Sequence, residues 1–347
     1  MRRNEAEMTG DDGRDVITLA HGSGGEATGK LVAEIVGSYL CNEVVSRLDD
    51  SAVIPVAEGR LAFTTDSYVV DPIFFPGGDI GSLAVNGTVN DLAMVGARPV
   101  AITLALIIEE GLELADLRRI LASIRDAAVE AGVQVVGGDT KVVEHGSADR
   151  IFINTSGIGM VPAGVDISSS NARHGDAVIL SGSVGDHGIA ILSRREGIEF
   201  ETAIESDSAP LNRLVESMLG ATTAIHAMRD PTRGGLATTL NEIARKSGVG
   251  IEIEEAAIPV RPEVAEACDL LGLDPLLVAN EGKLVAFVPE EDSDLLVKAM
   301  RRVKYGEESA VIGRVTAAEP GAVCLNTAVG GQRILMPLSG EILPRIC

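Results

Sequence analysis

Residues 60–70, Arg60-Leu61-Ala62-Phe63-Thr64-Thr65-Asp66-Ser67-Tyr68-Val69-Val70, read as a strand over 60–66 that carries a carboxylate, Asp66, out of an apolar stretch. Upstream, residues 51–56 supply the other arm of a hairpin around Glu58-Gly59, with Asp49-Asp50 just before it. Downstream, 98–108 and 151–160 read as further strands. Between those two lies a helix over 113–131, where Leu114, Leu117, Leu121, Ile124 and Ala128 recur at three- and four-residue steps and Gly132 is the stop signal. That stripe is core. Strands and helices that alternate in this way specify an α/β (α+β) architecture.

The passage Pro162–Gly175, rich in Gly, Pro, Ser and Asn, reads as a linker between two domains. The second half opens with a strand at 176–181 and the loop Gly182-Ser183-Val184-Gly185-Asp186-His187-Gly188. Helices near 186–195, 209–219 and 234–247 follow, with strands at 249–254, 283–288, 309–315 and 321–326. His187 packs locally on this reading.

At 347 residues and 46% apolar content the chain has ample material for a sizeable core. Its net charge of −22 disfavours a surface that tracks phosphates, and 3% aromatics leave few stacking platforms, so nucleic acid is not an expected partner. No apolar run approaches the roughly 20 residues of a membrane span, and the first residues lack a signal peptide's apolar region; the expected setting is the cytoplasm, without membrane. Four cysteines, at 41, 268, 324 and 347, show no metal or disulfide spacing.

The first half places carboxylates where loops meet apolar segments: Asp49-Asp50, Asp66, Asp91 in Val89-Asn90-Asp91-Leu92, and Asp139 after Gly137-Gly138. Gathered together they would repel one another and any phosphate, so a shared site calls for divalent cations. Magnesium suits that task, because it binds through a few carboxylates plus phosphate oxygens, and metal with phosphate points to ATP. Lys141, two residues beyond Asp139, adds a phosphate charge or a proton handler. Any one of these aspartates alone also fits a turn or a helix cap. Near the start, Gly24 to Lys30 fits G-x-x-x-x-G-K, but Leu31 follows where a P-loop needs Ser or Thr for the metal.

The chain ends on a thiol. The stretch from Gly331 to Cys347 could span roughly 55 Å fully extended, at about 3.3–3.6 Å per residue, and Pro337 and Pro344 oppose a single helix. Its apolar residues, among them Ile334, Leu335, Leu338, Leu343 and Ile346, call for a docking surface.

Taken together, these stretches resemble one family, the hydrogenase maturation protein HypE within the ATP-binding superfamily of aminoimidazole ribonucleotide synthetase. The resemblance spans about residues 17–347. It is carried by His21-Gly22-Ser23-Gly24-Gly25, by residues 63–70, by Phe74-Phe75-Pro76-Gly77-Gly78-Asp79-Ile80-Gly81 and by Gly87-Thr88-Val89-Asn90-Asp91-Leu92-Ala93-Met94. Further matches are Gly138-Asp139-Thr140-Lys141-Val142-Val143, Arg229-Asp230-Pro231-Thr232-Arg233-Gly234-Gly235, Asn280-Glu281-Gly282-Lys283 and the terminal Pro344-Arg345-Ile346-Cys347.

The resemblance implies an N-terminal extension at 1–20, an ATP-binding and dimerisation domain at 21–162, a C-terminal α/β domain at 172–330 and a mobile tail at 331–347. It implies a homodimer with ATP at the pairing of the N-terminal sheets. It also implies dehydration: a carbamoyltransferase, HypF, loads a carboxamide onto Cys347, ATP converts S–C(O)NH2 to S–C≡N, and a HypC-HypD complex receives the cyanide for the iron of nickel–iron hydrogenase. Carried over residue by residue, it implies Thr65, Asp66, Asn90, Asp91 and Asp139 for ATP. For Mg2+ it implies Asp49, Asp50, Asp66, Asp91 and Asp139, and for catalysis Cys347, Glu281 and Lys141.

Glu281 otherwise reads as an ordinary exposed acid at a strand entry, and Asp230–Gly235 as a cap for the helix that follows. Arg345 is expected to offset the effect of the terminal carboxylate on the Cys347 thiol. Selenophosphate synthetases of the same superfamily carry a reactive Cys or selenocysteine near the glycine loop, where this chain has His21-Gly22-Ser23. A free-substrate synthetase and a non-enzymatic thiol carrier remain the competing readings.

Overall fold

The computed structural model describes residues 26–30, 49, 51–56, 59–198, 204–340, 343 and 345–347. Of the near-P-loop stretch only the helix Glu26–Lys30 lies among them; Gly24, Leu31 and Asp50 lie outside the described residues.

The first domain is built on a five-stranded sheet in the order Ala52–Val56, Gly59–Tyr68, Ile151–Val161, Arg98–Glu109, Gln134–Val143. All neighbours are antiparallel except the last pair, which is parallel and therefore needs a crossover, supplied by the helix Leu114–Ala131. Glu113 stands before that helix and Gly132, at φ 71°, ends it in the left-handed conformation.

A second helix, Ile80–Met94, runs under the same face. Asp79 caps it, its carboxylate accepting from the backbone N–H groups of Gly81 at 2.8 Å and Ser82 at 3.2 Å. The helix is apolar on nearly every side because it is enclosed on nearly every side. Glycine is required at Gly87, where a Cβ would strike the hydroxyl of Tyr68.

The outer face of the sheet is uncovered. Phe63 is 45%, Ile107 43% and Met160 38% exposed, and every residue of the Gln134–Val143 edge strand but Val143 is exposed. Register shows who shares that face. Lys141 lies opposite Ile107 and Asp139 opposite Ala105, so both acidic and basic side chains stand on the Ile107 face. Thr65 stands there too, with Phe63, whereas Asp66 alternates with them and turns inward with Thr64 and Tyr68.

The second domain carries a seven-stranded sheet, in the order Gln332–Ile334, Val323–Asn326, Gly250–Glu254, Ala310–Thr316, Asp176–Leu180, Val285–Pro289, Ala227–Arg229. The two domains share a core in which Ala62, Leu92 and Met94 of the first meet Ile179, Leu214 and Ala286 of the second. The joining passage, read as a linker from its composition, is packed rather than loose: Val165 and Ile167 are buried, and Ser168 and Ser169 bind the carboxylate of Asp49. No helix among the described residues is long and apolar enough to cross a membrane.

Candidate active site

A cavity of about 210 Å³ opens where the inward end of the Gly59–Tyr68 strand meets the second domain. The strand contributes Thr64, Thr65, Asp66 and Tyr68, and the enclosed helix contributes Gly87 and Asp91. Thr64 Oγ1 donates to Asp91 Oδ2 at 2.8 Å, so neighbouring elements aim both carboxylates into one space. From the second domain come Arg229, Asp230, Thr232, Arg233 and Glu281, and from the end of the chain comes Cys347.

Glu281 owes its position to a pinned loop. Asp207 accepts from the N–H of Glu281 at 3.0 Å, from that of Gly282 at 3.2 Å and from Lys283 Nζ at 3.1 Å. The Asn280 amide donates to Pro231 O at 2.9 Å and its oxygen accepts from Gly185 N at 2.8 Å. Buried Asn90 sits behind this loop, its amide donating to the carbonyls of Ala209 at 3.0 Å and Glu281 at 3.3 Å. With backbone and neighbours fixed, the Glu281 side chain is 3% exposed, and its Oε1 has no hydrogen-bond partner among the described residues. An orphaned buried carboxyl oxygen invites a ligand group.

Burial, then the charges of Asp230, Asp207 and Asp66, pushes the Glu281 carboxyl well above its ordinary range, against the pull of Arg233. Burial likewise raises Asp66, opposed by the Ser67 N–H and by Arg233. The Cys347 thiol is driven strongly upward by burial, which outweighs the nearby Arg233; Glu281 and Asp66 push it the same way. Arg233 is held firmly cationic by Cys347 beside it, with Asp66 and Glu281 adding to the effect. The recess therefore joins a thiol and a carboxyl that both hold their protons more tightly than usual, a guanidinium and further carboxylates.

The tail that delivers Cys347 is docked. Val69 N donates to Cys347 O and Asp71 N to Arg345 O, each at 3.2 Å, an antiparallel pairing that prolongs the Gly59–Tyr68 strand's path. Ile346 is buried in the first domain's core. Arg345 lies 2.7 Å from Asp149 and 3.8 Å from Asp71 and donates to Val69 O. The expectation that Arg345 serves the thiol is corrected on this geometry: its charge is spent on those acids, and the guanidinium beside Cys347 belongs to Arg233.

Of the residues singled out from sequence, Thr65, Asp66, Asp91, Glu281 and Cys347 meet in the cavity. Asn90 supports it from behind. Asp139 and Lys141 do not line it; they pair with each other at 2.5 Å on the exposed outer face, and Lys141 holds the Asp139 carboxyl below its usual range. Asp49 faces the Ser168-Ser169 segment instead. Sequence reasoning missed Arg233 and Asp230 by treating their segment as a helix cap. The helix Gly235–Ser247 is preceded by Gly234 in a left-handed conformation and has no side-chain cap, which leaves Asp230, Thr232 and Arg233 for the cavity. The signal was the Gly234-Gly235 pair, both at positive φ, directly after Arg233.

Residues 48–161 match the AIR synthase related protein N-terminal domain and residues 173–325 its C-terminal domain. A carbamoyl dehydratase HypE from Azotobacter vinelandii is 55% identical over 331 residues, which cover 95% of this chain and 97% of that protein. This chain belongs to the HypE family. Solved HypE structures agree. One, a HypE in complex with ATP, is 49% identical over 96% of this chain and 100% of its own, with a TM-score of 0.81. Another, the HypE of a HypE-HypF complex, is 47% identical over 89% and 99%, with a TM-score of 0.85.

Proposed function

We propose that this HypE-family chain dehydrates the S-carboxamide on its own Cys347 to a thiocyanate at the expense of ATP, supplying cyanide for nickel–iron hydrogenase in the cytoplasm. One observation carries the reading: the terminal thiol sits in the same recess as Glu281, Arg233, Asp66 and Asp91. A mere thiol carrier has no need of that company. The balanced change is S–C(O)NH2 plus ATP to S–C≡N plus ADP, phosphate and a proton. The amide oxygen is a poor leaving group until the γ-phosphate is placed on it, after which it departs as phosphate.

The chain's own groups divide this work. Arg233, cationic and beside the sulfur, faces the charge that builds on the transferring group. Once the thiol carries a carboxamide, Glu281 lies beside it, and a carboxylate whose affinity for protons is raised is a stronger base for the two protons the nitrogen must lose. Asp66 and Asp91, hard oxygen ligands with the Thr64 and Thr65 hydroxyls nearby, fit Mg2+ shared with phosphate oxygens. When bound, the metal supplies charge stabilisation to phosphoryl transfer. The cavity is smaller than the roughly 300–1,000 Å³ of whole-ligand sites, so it takes the reacting groups while the nucleoside lies outside, toward exposed Thr65.

The outer sheet face, with Phe63, Ile107 and Met160 uncovered, pairs with a second copy in a homodimer. HypF loads Cys347, and the HypC-HypD complex receives the cyanide. The test is mass spectrometry of the C-terminal peptide after incubation with HypF, carbamoyl phosphate and ATP. Loss of one water from carboxamide-modified Cys347, dependent on ATP and absent in Cys347→Ala, is expected. Persistence of the unreacted carboxamide in the presence of ATP would refute the activity.

A further inference from the structure

Delivery of Cys347 depends on groups that never touch the reacting atoms. His187, fully buried in the first turn of the helix Asp186–Glu196, points Nε2 at the carbonyl of Ile346, 2.8 Å away, and Nδ1 at Ser206 Oγ, 2.7 Å away. A carbonyl only accepts, so Nε2 bears the proton, and in the neutral ring Nδ1 accepts from the Ser206 hydroxyl. Ser206 is itself fixed: its N–H donates to Pro76 O at 2.8 Å, and its Oγ accepts from Ser208 N at 3.1 Å. The edge of the Phe75 ring closes the other side, with centroids 5.6 Å apart. At the far end of the same helix Arg195 donates to the carbonyl of Arg345 at 2.9 Å and to that of Asp71.

We propose that His187, oriented by Ser206, and Arg195 form a latch that grips the tail by its main-chain carbonyls and thereby positions the sulfur of Cys347 against Glu281. Both are positioning residues; the inference rests on the reading that Cys347 reacts in this cavity. The two donors sit on one helix of the second domain, and their acceptors are consecutive residues, Arg345 and Ile346. Because the latch addresses main chain and not the thiol, it holds the tail equally well with a thiol, a carboxamide or a thiocyanate at its tip. The buried side chain of Ile346 supplies the apolar part of the grip.

The experiment follows alkylation of each cysteine by iodoacetamide, read peptide by peptide, in the full-length protein. A docked thiol is partly shielded and protonated, hence slow; an undocked one is open to water and ionises more readily. His187→Ala and Arg195→Ala are each expected to speed reaction at Cys347 about tenfold, the population shift that loss of one such hydrogen bond produces. His187→Gln, which keeps a donor toward Ile346 and an acceptor toward Ser206, restores the slow rate. Cys268, buried in the helix Pro262–Leu271, stays silent throughout and reports any global loosening.

Unchanged reactivity of Cys347 in both alanine variants, or failure of the glutamine to rescue, overturns the latch. Should Cys268 of His187→Ala become reactive, Arg195→Ala decides alone, and a wild-type rate there also overturns it. Alkylation needs no ATP, so the latch can fail while dehydration stands, and the reverse.

Discussion

The guanidinium of Arg233 and the thiol of Cys347 share one recess, and Arg233 is the neighbouring charge that most favours the thiolate. Burial wins over that attraction at the sulfur, which stays protonated, so the docked tail is not in the state that attacks a carbamoyl donor. On the proposed chemistry Arg233 acts later, when phosphate charge enters the recess. Arg233→Gln is expected to slow single-turnover dehydration of the loaded thiol by about 100-fold or more, the scale for removal of one preorganised charge donor. A rate close to wild type in that variant removes Arg233 from the chemistry.

The fold was legible wherever periodicity was clean. The 113–131 helix is realised as Leu114–Ala131, and the strands read at 98–108 and 151–160 extend by a residue or so. The helix Ile80–Met94 left no stripe to find, because a helix enclosed on all sides has no polar face to set the period. At the site, Asp66, Asp91, Glu281 and Cys347 stood out by residue type and motif. What sequence could not show was which way they faced. Asp66 and Asp139 both follow apolar stretches, yet register turns Asp66 inward and Asp139 outward, a distinction that depends on pairing partners far along the chain. Likewise the choice between Arg345 and Arg233 as the thiol's cation depends on Asp149, which is distant in sequence from both.

The raised Glu281 carboxyl ties stability to pH with a definite sign. Its folded pKa lies above the unfolded value, so the native state holds the proton more tightly. The associated stability is fully present below the unfolded pKa of 4.5 and is lost as pH rises through the folded pKa. Glu281→Gln cannot ionise and escapes that loss. Denaturant midpoints of the variant and the wild type should therefore diverge in the variant's favour between acid and neutral pH. The same variant is expected to bind ATP yet dehydrate the loaded thiol more slowly, by about 100-fold for loss of a positioned base. Parallel pH profiles sink the electrostatic claim, and an unaltered single-turnover rate sinks the catalytic one.

The carboxylates of the cavity carry a separate expectation for nucleotide. Asp66→Asn and Asp91→Asn each keep the shape and remove a hard anionic ligand, so each should weaken magnesium-dependent ATP binding by about tenfold or more, measured by titration calorimetry. Asp91→Asn keeps the Thr64 contact, because the amide can still accept through its oxygen, so a loss there reports the missing charge. ATP affinity equal to wild type in both variants takes the two residues out of the binding site.

Lys141 stands on the outer face of the sheet, paired with Asp139, whereas Asp66 and the Cys347 recess lie on the inner side. Within one chain the lysine is turned away from the sulfur it was expected to serve. The homodimer proposed above supplies the alternative to be tested, in which Lys141 acts on the partner's thiol. Lys141→Ala and Cys347→Ala homodimers should each fail to form thiocyanate. Random 1:1 mixing then gives half heterodimers, each with a single competent site, and so about a quarter of the wild-type yield if the lysine acts across the interface. If it acts within its own chain, the mixture stays inactive. Phe63→Arg, which places a charge on the uncovered face, should reduce both the dimer seen by sedimentation and the restored activity together. A variant that remains dimeric and still complements in the mixture argues against this face as the interface.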